Sequence, residues 1–280
     1  MQPIYLKIRL LASLMLVLGV CWGCRPFGQS SLLTQSPHLL LGNPTPEVSA
    51  SSSQALLVDR PQYVLLYDRD QNIARWASWQ LNRDWLGQGE RPAFAPDPLL
   101  TGDRVITPSL YTGSGFDRGH LVPAADRNLT PEDSAAVFYM TNIVPQAPDN
   151  NRGPWEQLES YCRRLVRSGK ELYIIAGPVG TGGTGSKGRA ESIANGKIPV
   201  SSDLWKIVVV NERQGQGIAG ITANSRVIAV LMPNTQGVKE EDWRTFRTTI
   251  RSLEALTGYS FLSKVPQSVQ DIVENRIDAP

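Results

Sequence analysis

Proton transfer by imidazole near neutral pH needs a histidine, and this 280-residue chain contains two, His38 and His120. His120 closes the run Asp117-Arg118-Gly119-His120, preceded by Tyr111-Thr112-Gly113-Ser114-Gly115-Phe116 and followed by Leu121-Val122-Pro123. His38 stands in a Ser/Pro/Leu-rich stretch with no Arg, Asp or Glu close by to tune or orient it. General-base chemistry therefore points to His120. Arg118 sits two residues before it, so in an extended segment both side chains point to one side. Asp117 invites reading as the acid that orients the histidine, but a carboxylate so close along a strand crowds it or faces away, so a structural role bracing the turn fits at least as well.

Further polar residues follow in order: Asp126-Arg127, Asn142 within Met140-Thr-Asn-Ile-Val-Pro-Gln146, then Asp149-Asn150-Asn151-Arg152-Gly153-Pro154-Trp155, then Glu159 and Arg163. Glu159 and Arg163 are four apart and share a helical face, the spacing of an ordinary surface ion pair as much as of a site. Asn142 suits either a site or the satisfaction of buried backbone groups.

The elements that must position these residues are mainly strands. Segments 63–67, 73–81, 172–176, 204–210, 220–222 and 226–232 are β-branched or aromatic and bounded by turn residues. Two helices are expected. One covers 154–168, with Pro154 at its first position and a stripe of Trp155, Leu158, Cys162 and Leu165; the other covers about 240–256, with Trp243, Phe246, Ile250 and Leu253. Strands and helices do not alternate, so the expected class is α+β with a central, largely antiparallel sheet flanked by helices.

The N-terminus has Lys7 and Arg9, an apolar run over 10–20 and then Cys21-Trp22-Gly23-Cys24. This is the layout of a secretory signal over 1–24, and the run is short of the roughly 20 residues that span a membrane. Glycine before Cys24 also permits lipoprotein processing, so lipid on Cys24 is a candidate membrane anchor. The alternative is an uncleaved N-terminal anchor. Residues 25–55, rich in Ser, Pro and Gln, read as a flexible or extended tether, and 56–280 as one domain. The expected location is exported, periplasmic or extracellular.

Lysine and arginine number 28 against 26 acids, and removing 1–24 leaves 26 of each. A global basic field is absent, so a polyanion would have to be received by a local cluster of arginines. Cys162 is alone after residue 24, which excludes a disulfide-stapled body; it reads as a buried apolar residue on a helix.

Taken together, Asp117-Arg118-Gly119-His120, Asn142-Ile143-Val144-Pro145-Gln146, Asn151 to Trp155 and the following Glu159 resemble the DNA/RNA non-specific endonucleases of the ββα-metal class, among them secreted sugar-non-specific nucleases. The likeness extends over about 63–260, including Ala176-Gly177-Pro178 and Leu204-Trp205-Lys206. The resemblance implies that His120 deprotonates the attacking water and that Asn151 is the sole direct protein ligand of Mg²⁺ or Mn²⁺. Glu159 would hold that ion through water, consistent with the reluctance of Mg²⁺ to dehydrate. Arg118 would clamp phosphate or stabilise the charge developing on it, with Arg91 in similar duty, and Arg163 and Asn142 completing the catalytic set. In such enzymes the hydrogen bond orienting the base commonly comes from main chain. The implied partners are DNA and RNA, single- or double-stranded, cut to 5′-phosphate products, and a dedicated inhibitor protein is a further candidate partner.

Two rival classes compete. An exported nucleic-acid-binding lipoprotein with a dead site is opposed by the intact His120, Asn151, Glu159 and Arg118. A phosphate-loop hydrolase rests on the glycine-rich run 177–188, but Ser186 separates Gly185 from Lys187 and no helix-forming run follows, so a surface loop is expected. Ser114 lacks the spacing of a nucleophile elbow. Trp76, Trp79, Trp155, Trp205 and Trp243 lie on apolar-patterned elements and are expected in the core.

Overall fold

The nearly continuous apolar runs over 171–179 and 203–211 belong to strands covered on both faces, because side chains alternate between faces and both must then be buried. In the computed structural model, which describes residues 36–45 and 54–279, these runs are two adjacent inner strands of one sheet. The strands are β1 (Ala55–Asp59), β2 (Val64–Asp68), β3 (Ile73–Leu81), β4 (Asp117–His120), β5 (Ile143–Gln146), β6 (Glu171–Val179), β7 (Gly183–Gly185), β8 (Gly188–Ala190), β9 (Ser192–Ile193), β10 (Ile198–Pro199), β11 (Asp203–Asn211), β12 (Val227–Pro233) and β13 (Arg247–Thr248). The helices are α1 (Pro131–Val137), the single turn α2 (Pro148–Asn150), α3 (Glu156–Arg167), α4 (Ile250–Thr257) and α5 (Gln267–Val273).

Among the described residues seven strands form the sheet in the order β1-β2-β3-β6-β11-β12-β13, every neighbouring pair antiparallel. This is the α+β architecture expected. One face buries Trp79, Ile174, Leu204 and Val208, and receives Trp155, Leu158 and Cys162 from the α3 region together with Leu121, Phe138 and Val144. The opposite face buries Trp76, Trp205 and Ile207 beneath Ile250, Leu253, Phe261 and Val273. The functional residues lie on the α3 side, where β4 and β5 form a separate two-stranded ladder.

Four expectations change. Segment 220–222 is not a strand; Gly217–Gly220 is a 3-10 turn closed by the Asn211 side chain, whose Nδ2 donates to Gly217 O at 2.8 Å. The single helix expected over 240–256 is three pieces: a 3-10 turn at Trp243–Phe246, the edge strand β13, and α4, whose N-terminus is capped by Thr249. Strand β1, paired along its length with β2, and the site's own strands β4 and β5, paired with each other, add to the expected set. Finally, of the tether expected over 25–55, residues 36–45 are packed: His38, Leu39 and Leu41 are buried against the sheet. There His38 Nδ1 accepts from Gln80 N at 3.1 Å while Nε2 donates to Pro61 O at 2.7 Å, and burial lowers its pKa to about 4. The expected signal over 1–24, Cys24 included, lies outside the described residues, and among the described residues no helix is long and apolar enough to cross a membrane.

Candidate active site

The strand pair β4–β5 places the histidine. Asp117 pairs with Gln146, Arg118 with Pro145, Gly119 with Val144 and His120 with Ile143. A Cβ on Gly119 would sit 2.6 Å from the Cβ of the fully buried Gln146, so any larger residue here forces the two strands to shift. Alternation then sends Arg118 and His120 to the other side, where both line one cavity.

Aromatic rings hold the imidazole. The His120 ring lies 5.2 Å from Phe94 and 4.8 Å, edge-on, from Phe138. The Arg118 guanidinium packs over the same group, 5.1 Å from the Phe94 centroid, and Arg91 lies 5.2 Å from that of Phe138. The main-chain hydrogen bond implied for the base is not made among the described residues; ring packing takes its place. Burial, and then the charge of Arg91, lowers the His120 pKa to about 3. The ring is therefore neutral at physiological pH, and its buried Nε2 has no hydrogen-bond partner among the described residues.

Asn151 enters from the wide turn Asn151–Trp155, broken at Gly153 (φ −119°, ψ −116°), that leads into α3. A Cβ on Gly153 would meet the Lys239 carbonyl oxygen at 2.5 Å, so the backbones approach here as only glycine allows. Asn151 Nδ2 donates to Asp117 Oδ2 at 2.9 Å, and the same carboxylate accepts from Arg152 Nε at 2.8 Å and Nη2 at 2.6 Å. Asp117 is thus the brace of the asparagine, not of the histidine. Because a carboxylate accepts and cannot donate, the amide is oriented with Oδ1 free of any hydrogen bond among the described residues.

Helix α3 buries Leu158, Cys162 and Val166 and turns Glu159 and Arg163 along its cavity side. The direct Glu159–Arg163 ion pair suggested by their spacing is not formed. Arg163 Nη1 instead donates to Asp126 Oδ1 at 3.1 Å, while Glu159 Oε1 accepts from Lys206 Nζ at 3.4 Å. Burial pushes the Glu159 carboxyl above the usual carboxylate range, opposed first by Lys206 and then by Arg163. Cys162 is a buried free thiol, pushed up to about 12 by burial, as befits a core residue.

The cavity has a volume of about 560 Å³. It brings together His120, Arg118, Arg91, Asn151, Glu159 and Arg163, and adds Phe94, Arg152 and Glu156. Four guanidiniums face two carboxylates and a neutral imidazole; Asp117 pairs with Arg152 and Asp126 with Arg163, so Arg91 and Arg118, without an ion-pair partner among the described residues, are the positive charges open to an anion. A second cavity of about 390 Å³ adjoins it, sharing Phe94, Arg118, Asn151 and Arg152.

Asn142, expected among the catalytic residues, is not on the cavity wall. It is fully buried, its Oδ1 accepting from Val122 N at 3.0 Å and its Nδ2 donating to Val122 O and Val137 O, each at 2.9 Å. It clamps the chain just after His120. The glycine-rich run is a β7–β8 hairpin whose Lys187 Nζ donates to Gly113 O at 2.7 Å, with no helix behind it. The five expected core tryptophans are all fully buried. Phe94 carries no site signal of its own in the sequence, and Asp126 and Lys206, which stand in marked segments there without a role, gain one only from the fold, which sets Asp126 against Arg163 and Lys206 against Glu159.

The sequence model of the DNA/RNA non-specific endonucleases matches residues 42–268. The chain belongs to this family. It is 47% identical over 265 residues to a nuclease of Nostoc sp. (strain PCC 7120), with 91% of this chain and 93% of that protein covered. It is 30% identical to the mitochondrial endonuclease G of Homo sapiens over 75% of this chain and 71% of that one. A chain in the crystal structure of the EndoG/EndoGI complex shares the fold with a TM-score of 0.67 at 22% identity, covering 84% of this chain and 94% of that one. The β4–β5 ladder followed by α3 is accordingly the ββα core of a non-specific endonuclease.

Proposed function

We propose that this endonuclease is exported and hydrolyses DNA and RNA, single- or double-stranded, with Mg²⁺ or Mn²⁺, leaving 5′-phosphate ends. The observation that carries the reading is one cavity wall holding a neutral His120, an Asn151 oxygen free of hydrogen bonds and four arginines.

The donor set fits a cation that keeps most of its own water. Among the described residues no three His, Cys, Asp or Glu side chains are grouped to cage a metal. A single amide oxygen on Asn151, with the Glu159 carboxylate on the same cavity wall to hold a water, suits a hard ion completed by solvent and phosphate. When bound, such an ion neutralises phosphate charge and stabilises the leaving oxygen.

The chain's own groups do the rest. His120, uncharged, takes a proton from water at its ring as the water attacks phosphorus. Arg118 presents its guanidinium beside that ring, where it binds phosphate oxygens whose charge grows in the transition state, while Arg163, held by Asp126 and Ser160, adds positive charge beside Glu159 on the same wall. Cleavage of the P–O3′ bond then leaves the phosphate on the 5′ side. All of these groups address phosphate and water rather than base edges, which supports low sequence preference.

Residues 1–24 support export, with lipid on Cys24 as a candidate anchor. The fold relative solved in complex with EndoGI supports a dedicated inhibitor protein as a candidate partner. The test is cleavage of supercoiled plasmid and of single-stranded RNA with Mg²⁺, Mn²⁺ or chelator, beside His120→Ala. Metal-dependent loss of both substrates that vanishes in the variant supports the reading; folded wild-type protein that binds without cutting overturns it.

A further inference from the structure

Lys206 stands where an aliphatic residue belongs. Along β11 the side chains facing α3 are Leu204, Lys206, Val208 and Val210, and Lys206 is as buried as the others. Its neighbours in register are Ala176 on β6 and Val230 on β12. The ammonium lies 3.9 Å from the centroid of Trp155, 5.8 Å from that of Trp79 and 3.4 Å from Glu159 Oε1.

Removing an ammonium from water is costly, and one long ion pair with two aromatic faces is a poor return. Buried ion pairs are often replaced by apolar residues with no loss of stability. Packing alone would therefore favour Met or Leu at 206. What the lysine supplies instead is a fixed donor to one oxygen of a carboxylate that lines the cavity. The other oxygen, Glu159 Oε2, has no hydrogen-bond partner among the described residues.

We propose that Lys206 is a positioning residue for phosphodiester hydrolysis: anchored between Trp79 and Trp155, it grips Glu159 Oε1 and so presents Oε2 to the site where the divalent ion's water is held. The proposal rests on the metal-dependent nuclease reading above. Arg163 does not substitute, because its Nη1 is committed to Asp126 and its Nη2 to Ser160.

The experiment is a double-mutant cycle of Lys206→Met and Glu159→Gln, read as kcat and KM on plasmid, as Mn²⁺ binding to free protein by electron paramagnetic resonance, and as urea unfolding. Lys206→Met is expected to lower kcat about 10- to 100-fold and to weaken Mn²⁺ binding, with KM for DNA little changed. In the Glu159→Gln background it should change kcat and Mn²⁺ binding by less than about twofold, since the lysine then has nothing to position. A purely structural lysine gives the opposite: equal losses in both backgrounds, tracking the unfolding midpoint. That result, or wild-type kcat and Mn²⁺ binding in Lys206→Met, overturns the proposal. Should Lys206→Met not fold, Lys206→Gln takes its place, with smaller losses expected but the same dependence on Glu159. Wild-type protein that fails to cut at all refutes the nuclease reading separately, while the Mn²⁺ arm still decides on Lys206.

Discussion

Asp117 and Asn151, 34 residues apart, meet at 2.9 Å through one hydrogen bond from the amide nitrogen to the carboxylate. The bond decides which end of the amide faces the cavity. Replacing Asp117 with Asn removes the charge that makes this orientation obligatory and also releases Arg152. Asp117→Asn is expected to lose about 10- to 100-fold in activity, recovered in part at high metal concentration. Rates measured across a metal titration check this; a loss that no metal concentration alters would separate Asp117 from the ion.

Removal of the base has a different signature. His120→Ala should lower kcat by about 10²- to 10⁴-fold, the usual worth of a general base, with substrate binding retained. Because His120 has its pKa lowered to about 3, the wild-type ring stays deprotonated as pH falls through 6.5. The rate constant kcat/KM should therefore show no acid limb near 6.5, and an inflection there in the wild type would mean that the active imidazole is as well solvated as a free one.

Asn142 separates stability from chemistry. All three of its side-chain hydrogen bonds go to backbone, two to Val122 and one to Val137. Asn142→Ala leaves buried backbone groups unpaired and is expected to cost about 2–4 kcal/mol. Urea unfolding gives that number, while activity per folded molecule should fall far less than in His120→Ala.

The buried His38 ties stability to acid. Its pKa is lowered to about 4 in the folded chain, whereas the unfolded chain takes up a proton near 6.5. The unfolded state thus binds more protons between these values, so this contribution is fully present above pH 6.5 and is lost as pH falls towards 4. The slope approaches about 1.4 kcal/mol per pH unit at most. Unfolding curves at pH 7 and 5 should show a smaller pH effect in His38→Gln than in the wild type; equal effects would exclude His38 as the titrating group.

Local rules are enough for much of this protein. Alternation in Asp117 to His120 puts Arg118 and His120 on one side, the run of β-branched residues in β6 and β11 marks strands buried on both faces, and Pro154 marks the approach to α3. The pattern over 240–256 shows where such rules end. Trp243 and Phe246 pack on the α3 side of the sheet while Ile250 and Leu253 pack on the other, because Arg247–Thr248 pairs with Val230 and Ala229 at the sheet edge and Thr249 starts a new helix. One stripe at helical spacing thus feeds two cores.

By itself the sequence determined the types of the reacting groups, their order, the extended segment on which Arg118 and His120 alternate and the helix that carries Glu159 and Arg163, because these depend on side-chain chemistry and on periodicities of two and 3.6 residues. Only the tertiary structure decided their partners. Asp117 braces Asn151, Asp126 rather than Glu159 pairs with Arg163, Phe94 holds His120, and Lys206 lies against Glu159. Each of these contacts joins residues far apart along the chain. They follow from how the α3 layer settles on the sheet, and no local rule encodes that placement.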